Sequence, residues 1–491
     1  MAKTAKRFGR VYTPDFIVRL ILDFGGYDNS SVLQKHVIDN SCGDGAFLTE
    51  IVRRYCKIFL AQNQNPGNLS RDLAQYIHGI EIDLEECQKC VSNLNKAVEQ
   101  YGIKGIKWDI LNADALKTSI FDRKMDFVFG NPPYVRVHNL EETYASVKKL
   151  KFSENGMTDL FLVFFEIGFN MLANRGTMCL ITPSSWLGSL AGKNLRKYIA
   201  AKQNLSGVID LEHFQPFEAA TYTLISRFSN VEKFNHIDYY TFDPLKQEKV
   251  FQDSLSYEHI LLGAAKEQTG CKFYFSRKEQ LTRLHNIKTS NVCQYVSVKN
   301  GFATLADKFF IGEFSFSEGT IDILKASTGK WSKCIYPYDR NGNPIPEPEF
   351  KKHREAYKQL LQHKDKLSCG RDIENKSGWY LFGRTQALKD VARRKYAVNT
   401  IVKDLNSIKT EIVPEGAGVY SGLYILTEIE WETIQSLICS DDFLSYIKLL
   451  KNYKSGGYYT FASKDIEFYL NYKLTEKYGQ SRISGNDREL F

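Results

Sequence analysis

The first half of the chain predicts an α/β fold, a mostly parallel sheet covered by helices on both faces, and three observations carry that prediction. Short apolar runs alternate with helical runs up to about residue 245. Acids or an amide stand where four of these runs end, at Asp39, Glu81, Asp114 and Asn131. Ligands of such sheets bind beyond the carboxyl ends of the strands, so the four positions are expected to share one site. At 491 residues the chain also exceeds one ordinary core, and domains of 1–245 and 246–491 are expected.

The elements follow in order. Tyr12-Thr13-Pro14-Asp15 opens an amphipathic helix, with Thr13 expected as the cap and Pro14 at the first helical position, which stops at Gly25-Gly26. A strand, Val37 to Asp39, leads through Asn40-Ser41-Cys42-Gly43-Asp44-Gly45 into a helix running to about Leu60. After a polar loop, a second strand, Tyr76 to Ile80, ends in Glu81-Ile82-Asp83 before another helix. A third strand near Ile106 to Ile110 precedes Asn112-Ala113-Asp114, and a fourth, Phe127 to Gly130, runs into Asn131-Pro132-Pro133-Tyr134. Helix 158–173, strand 177–182, helix 188–201 and strands 205–211, 222–228 and 236–242 complete the region.

With 43% hydrophobic and 25% charged residues the composition is that of a soluble globular protein. The net charge of +8 comes from 65 basic against 57 acidic residues, which argues for a local basic groove more than a globally basic chain. Ten scattered cysteines fit free thiols in a reducing compartment, and Cys87-x-x-Cys90 has no second pair at zinc spacing, so no metal is expected. The absence of a signal-like segment and of any run of ~18 apolar residues points to the cytoplasm and away from a membrane.

Chemistry concentrates at the fourth strand. Two successive prolines remove two backbone donors and fix φ, so an amide oxygen and a proline carbonyl stand side by side as acceptors suited to an exocyclic NH2 group. Tyr134 adds a flat face on which a base can stack. The cofactor question turns on the acids. The Gly43-Asp44-Gly45 turn lacks a phosphate-binding glycine order and carries a carboxylate, so pyrophosphate would be repelled. Glu81 is placed to accept both ribose hydroxyls, Asp114 an adenine amino group, and Asp39 or the turn backbone an ammonium. Each acid alone serves equally well as a helix cap; together, at successive strand ends, they suit S-adenosylmethionine, a cation without phosphate.

On Tyr12-Thr13-Pro14, Asp39 to Leu48, Glu81-Ile82-Asp83, Asp114 and Asn131 to Tyr134, the chain resembles the S-adenosylmethionine-dependent DNA adenine-N6 methyltransferases of the gamma motif order. The match runs on through Asp159 to Glu166, Ile181 to Leu187, and Phe217 with Thr221-Tyr222, and is closest to the branch with a C-terminal target-recognition domain, of the type II restriction-modification kind. That resemblance implies a class I Rossmann-like methyltransferase domain with a mixed, mostly parallel seven-stranded sheet, followed by an α+β DNA-recognition domain. It implies cofactor contacts at Thr13, Asp39, Ser41, Gly43, Glu81, Ile82, Asp114 and Asn131, with Phe164 as an aromatic wall of the adenine pocket. It implies catalysis by Asn131, Pro132, Pro133 and Tyr134, and stacking of a flipped adenine on Tyr134 and Phe217. One departure is Asn40, where proline is usual. Double-stranded DNA, a cognate restriction endonuclease, a monomeric state and a bacterial or archaeal nucleoid location complete what the resemblance implies.

Beyond residue 245, aromatics interleave with basic clusters: Lys272 to Arg277, Arg393-Arg394-Lys395-Tyr396, and Lys448 to Lys454 before Ser455-Gly456-Gly457-Tyr458. DNA contacts are expected from Arg136, Lys148, Lys149, Arg393, Arg394 and Lys454. Asn-Pro-Pro-Tyr also serves RNA bases and protein glutamine, so methylation of those amines is the alternative within enzymes. A silent DNA-binding module is the alternative of another class, and its mark, erosion of Asn131 or of the acids, is missing. Glu374-Asn375-Lys376 with Asp339 traces a nuclease-like pattern of a kind common by chance, and with only about a dozen residues ahead of the core cleavage is not expected.

Overall fold

The structure is a computed structural model that describes residues 12–62, 66–136, 147, 149–155, 159–217, 221–230, 233–262, 270–369 and 378–479. The chain divides into two compact units, Met1–Arg283 and Leu284–Phe491.

The first unit is built on a nine-stranded sheet, β1 (Val37–Asp39), β2 (Ile77–Glu81), β3 (Asp109–Asn112), β4 (Met125–Gly130), β5 (Leu172–Pro183), β6 (Leu205–Asp210), β7 (Thr223–Ser229), β8 (Ile237–Asp243) and β9 (Glu248–Leu255), in the order 3-2-1-4-5-7-6-8-9. β1 lies parallel between β2 and β4, and β7 is antiparallel to both β5 and β6. Seven of the strands run contiguously from the β3 edge to β6; β8 then adds parallel to β6, and β9 returns antiparallel to β8 as the other edge. That hairpin lies across the expected boundary at 245, and the first unit continues to Arg283.

Helices cover the sheet as the apolar periodicity requires. α1 (Asp15–Phe24) buries Ile17, Val18, Leu20, Ile21, Leu22 and Phe24. Its N-cap is Pro14 and no side chain caps it, so Thr13 does not play the expected capping role. α2 (Ala46–Ala61) starts after Gly43 and Gly45, which hold φ of +53° and +87°, a region that glycine enters without steric penalty. α3 (Leu69–Tyr76) leads into β2, and α4 (Leu84–Glu99) is capped by Asp83, whose carboxylate accepts from the N–H groups of Glu85 and Glu86 at 2.9 and 3.2 Å. α5 (Leu160–Met171) is apolar almost all round and is correspondingly buried, and α6 (Lys193–Lys202) follows β5.

The second unit is α+β. Ser297–Asn300, Leu423–Leu426, Lys395–Val398 and Thr410–Val413 form one antiparallel sheet, and Ile311–Gly312, Lys330–Ile335, Thr320–Lys325 and Gly418–Tyr420 form a second, mixed one in which the last pair is parallel. A small third sheet pairs Ile401–Val402 with the hairpin of Tyr453–Lys454 and Tyr458–Thr460. The helix Ser463–Tyr478 grips the first sheet through buried side chains: Asn471 Oδ1 accepts from the Tyr295 and Val296 N–H groups, and Glu467 Oε2 from that of Val298. All ten cysteines are free thiols, and among the described residues no helix is long and apolar enough to cross a membrane.

The end of α1 is fitted to β4 with no space to spare, since a Cβ at residue 25 would lie 2.3 Å from the buried Phe129 ring. Gly25→Ala is therefore expected to cost about 1–3 kcal/mol of stability, read as a lower midpoint in denaturant unfolding.

Candidate active site

Parallel pairing in register carries the functional residues to one edge. Asp39 pairs with Gly79, Glu81 with Asn112, and Gly130 with Leu180, so the ends of β1, β2, β3 and β4 open on the same side. There they line a cavity of about 180 Å³ whose walls include Thr13, Asp39, Ser41, Gly43, Glu81, Ile82, Asp114, Asn131, Pro133 and Phe164. Every residue expected to touch the cofactor is among them.

Each acid also has local work. Glu81 Oε2 accepts from Gly43 N–H and its Oε1 from Asp83 N–H, both at 2.9 Å, so one carboxylate ties the turn after β1 to the turn after β2. Asp114 Oδ1 accepts from Leu116 N–H at 3.0 Å and caps a single 3₁₀ turn. The capping and ligand readings are compatible, because each carboxylate oxygen has a second lone pair. Asn112 Nδ2 donates to the Glu81 and Ile82 carbonyls, at 3.0 and 3.1 Å, fixing the neighbouring strand end.

Asp39 is different. It is 2% exposed, and Oδ1 accepts from Ser41 N–H at 3.0 Å. Burial, reinforced by the nearby charges of Glu81 and Asp44, raises its pKa to about 7 against the Ser41 hydrogen bond that favours the anion. Asp44, too, is held above the usual carboxylate range, by burial first and then by Glu86.

The Asn131-Pro132-Pro133-Tyr134 stretch borders the cavity through Asn131 and Pro133. Asn131 is half-buried and its Nδ2 donates to Thr13 Oγ1 at 3.1 Å, which commits the NH2 end of the amide to Thr13 and turns Oδ1 the other way. Tyr134 donates to the Ile181 carbonyl at 3.3 Å and meets Phe161 and Phe217 edge to face, with ring centroids 6.3 and 6.1 Å away. Phe217 is buried, and Phe164 at the cavity wall is 6% exposed. The strand-end logic did not single out the apolar wall of Phe47, Val135, Leu116 and Leu160, whose members sit in unremarkable helical or loop sequence.

The basic residues divide. Arg136, Lys149, Arg394 and Lys454 are exposed, and Lys148 lies outside the described residues. Arg393 is partly buried and faces Asp390 at 3.9 Å. Lys395, next after Arg394 in the same cluster, turns inward at 3% exposure and donates to the Asp390 and Arg393 carbonyls; burial lowers its pKa to about 8. Glu374 and Lys376 of the nuclease-like pattern also lie outside the described residues.

Strand order, strand-end acids and an amide-Pro-Pro-Tyr stretch on one cavity define a class I S-adenosylmethionine-dependent methyltransferase fold. Residues 47–217 match the family described as the Eco57I restriction-modification methylase. The type II methyltransferase M.BstVI of Geobacillus stearothermophilus is 33% identical over 221 residues, 43% of this chain and 39% of that protein. The chain thus spans well under half the length of that relative. The type II methyltransferase M.PaeR7I of Pseudomonas aeruginosa is 22% identical over 93% of this chain and 84% of its own. Among solved structures, the type IIL restriction-modification enzyme MmeI in complex with DNA shares the fold, with a TM-score of 0.60 at 12% identity over 91% of this chain and 63% of that one.

S-adenosylmethionine is the cofactor of this fold and family, and the cavity fits it. Asp39, Asp44, Glu81, Glu86 and Asp114 line it, and none of the described lining residues is Lys or Arg, which suits a cation lacking phosphate. The Ser41 Oγ is buried there with no partner in the protein.

The Asp39 shift has a defined sign. A folded-state pKa above the unfolded value gives a contribution that is complete below about pH 4 and is lost as pH rises through about 7. In cofactor-free protein, Asp39→Asn is expected to raise the melting temperature at pH 8 by ~2 °C or more and to raise it clearly less at pH 5. Thermal melts at the two pH values check this.

Proposed function

We propose that the chain is a sequence-specific DNA methyltransferase acting on N6 of an adenine flipped out of duplex DNA, within a type II restriction-modification system. The observation that carries the reading is that Asn131 opens onto the same cavity as Asp39, Glu81 and Asp114, with the NH2 end of its amide committed to Thr13. The restriction endonuclease partner, the monomeric state and the DNA contacts of Arg136, Lys149, Arg393, Arg394 and Lys454 belong to the same proposal.

An exocyclic amine on a purine is a weak nucleophile because its lone pair is delocalised into the ring. The Asn131 amide oxygen and the Pro132 carbonyl accept its two hydrogens and so favour the pyramidal nitrogen that carries a lone pair. Pro133 has no N–H to compete for those acceptors and holds the backbone in place. S-adenosylmethionine, when bound, supplies a methyl group made electrophilic by its sulfonium. Asp39, Glu81 and Asp114 bind and orient that cation, and the apolar wall around Phe164 excludes water from the reacting face. Attack then depends on placement more than on an acid or base, and no covalent enzyme intermediate is required. Extruding the adenine costs a few kcal/mol, offset in part by stacking on Tyr134 and Phe217.

Asn131→Ala is expected to abolish turnover while leaving cofactor affinity within a few-fold of the parent; turnover at a near-normal rate would remove Asn131 from the chemistry. Tyr134→Ala should weaken productive base binding by ~1–3 kcal/mol, measured as kcat/KM for duplex DNA. Because a bound cation favours ionised Asp39, affinity for S-adenosylmethionine should climb with pH through about 7 and lose that dependence in Asp39→Asn, as titration calorimetry would report. Parallel assays on duplex DNA, RNA and protein, followed by modification-sensitive sequencing, separate this reading from methylation of other amines. Labelled methyl groups appearing only in RNA or protein would overturn it.

A further inference from the structure

We propose that Phe214 is a positioning residue: it holds the loop after β6 so that Phe217 stands against Tyr134, and thereby shapes the surface that receives the extruded base. The proposal rests on the stacking role given to Phe217 above.

The described part of the loop, 211–217, has an unusual backbone. β6 ends at Asp210, and Glu212 two residues later takes a φ of +50°, a left-handed conformation that side chains with a Cβ disfavour. Its N–H donates to Asp210 Oδ1 at 2.8 Å, and the Phe214 N–H donates to the Leu211 carbonyl at 2.8 Å, closing a tight turn. A turn of this kind persists only where its surroundings hold it.

Phe214 supplies that hold. Its ring sits 5.0 Å from Phe242 of β8 and 6.1 Å from Phe16 of α1, and those two rings are themselves stacked 6.1 Å apart. Phe16 does not move freely, because the opposite face of α1 is buried in the core through Ile17, Val18 and Ile21. Three residues beyond Phe214, Phe217 is buried with its ring at 76° to Tyr134. Phe16 in turn is three residues after Thr13, whose hydroxyl receives the Asn131 amide. The three-ring clasp thus joins the start of α1, which steadies the acceptor amide, to the loop that presents the stacking ring. Phe214 itself lies outside the cofactor cavity, so its influence on chemistry runs through Phe217.

A double-mutant cycle separates this from a general packing role. Phe214→Ala, Phe217→Ala, the double variant and Phe214→Leu are compared in the full-length protein. The substrate is a duplex whose target adenine is first identified by sequencing methylated phage DNA, with 2-aminopurine at that position for the emission readout. Phe214→Ala should lower kcat/KM by about 5- to 100-fold, the range set by base stacking on an aromatic ring. The double variant should fall within about twofold of the weaker single one, and the 2-aminopurine emission should change as it does in Phe217→Ala, with S-adenosylmethionine Kd kept within about twofold. Phe214→Leu, which keeps most of the apolar volume and guards against loss of the fold, should give the same non-additive pattern with a smaller loss. Multiplicative losses, an unchanged emission, or cofactor affinity falling in step with activity overturn the proposal. A parent enzyme that methylates duplex DNA and shows such results defeats only the Phe214 assignment, whereas a parent that methylates no DNA defeats the functional reading beneath it.

Discussion

The site depends on the packing of one buried carboxylate against one glycine. Asp39 at the end of β1 lies so close to β4 that a Cβ on residue 130 would come within 2.9 Å of its Oδ1. Only a residue without a side chain lets the two strand ends close to this distance. The next residue is Asn131, so the contact sets its amide beside a carboxyl group that is almost fully buried. Parallel pairing of β1 with both β2 and β4 fixes the approach, since a slip of one residue would turn Asp39 to the other face of the sheet.

That arrangement has an electrostatic consequence. A carboxylate at 2% exposure, near two further acids, is less stable as an anion than it would be in water, and its raised pKa records the fact. Glu81 accepts two backbone N–H groups, which favour its charged form while they join two turns. Asp39 has the Ser41 N–H on one oxygen and remains poised between its two states. The cavity therefore favours a cation over a neutral or anionic ligand before any shape is considered, and it discriminates against phosphate by the same field.

Most of this was legible in the sequence because strand ends announce themselves. Asp39, Glu81, Asp114 and Asn131 each follow a short apolar run, and a parallel sheet has only one place to put such residues. What was not legible depends on partners distant in the chain. Thr13 reads locally as a helix cap, yet its hydroxyl serves an amide 118 residues away. The sequence pattern predicts the strand at 236–242 but not β9, which returns antiparallel along the edge that β8 leaves free, and no local pattern signals a free edge. Lys395 belongs to a basic cluster in sequence but alternates inward on its strand, where two carbonyls satisfy its ammonium. Phe214 is one of many aromatics until the rings of α1 and β8 are seen around it.

The two halves of the reaction centre are stiffened by different means. On the cofactor side, hydrogen bonds from turn backbones to Glu81 and Asp39 fix the loops, and glycines at positive φ let those loops bend sharply. On the base side the contacts are aromatic: Tyr134 is braced by Phe161 and Phe217, and its hydroxyl is tied to the Ile181 carbonyl. Edge-to-face contacts are individually weak and tolerate small rotations, whereas charge-assisted hydrogen bonds are short and directional. A rigid floor under a deformable rim suits the proposed transfer to an extruded base, in which the amide would hold its place while the rings accommodate an arriving purine.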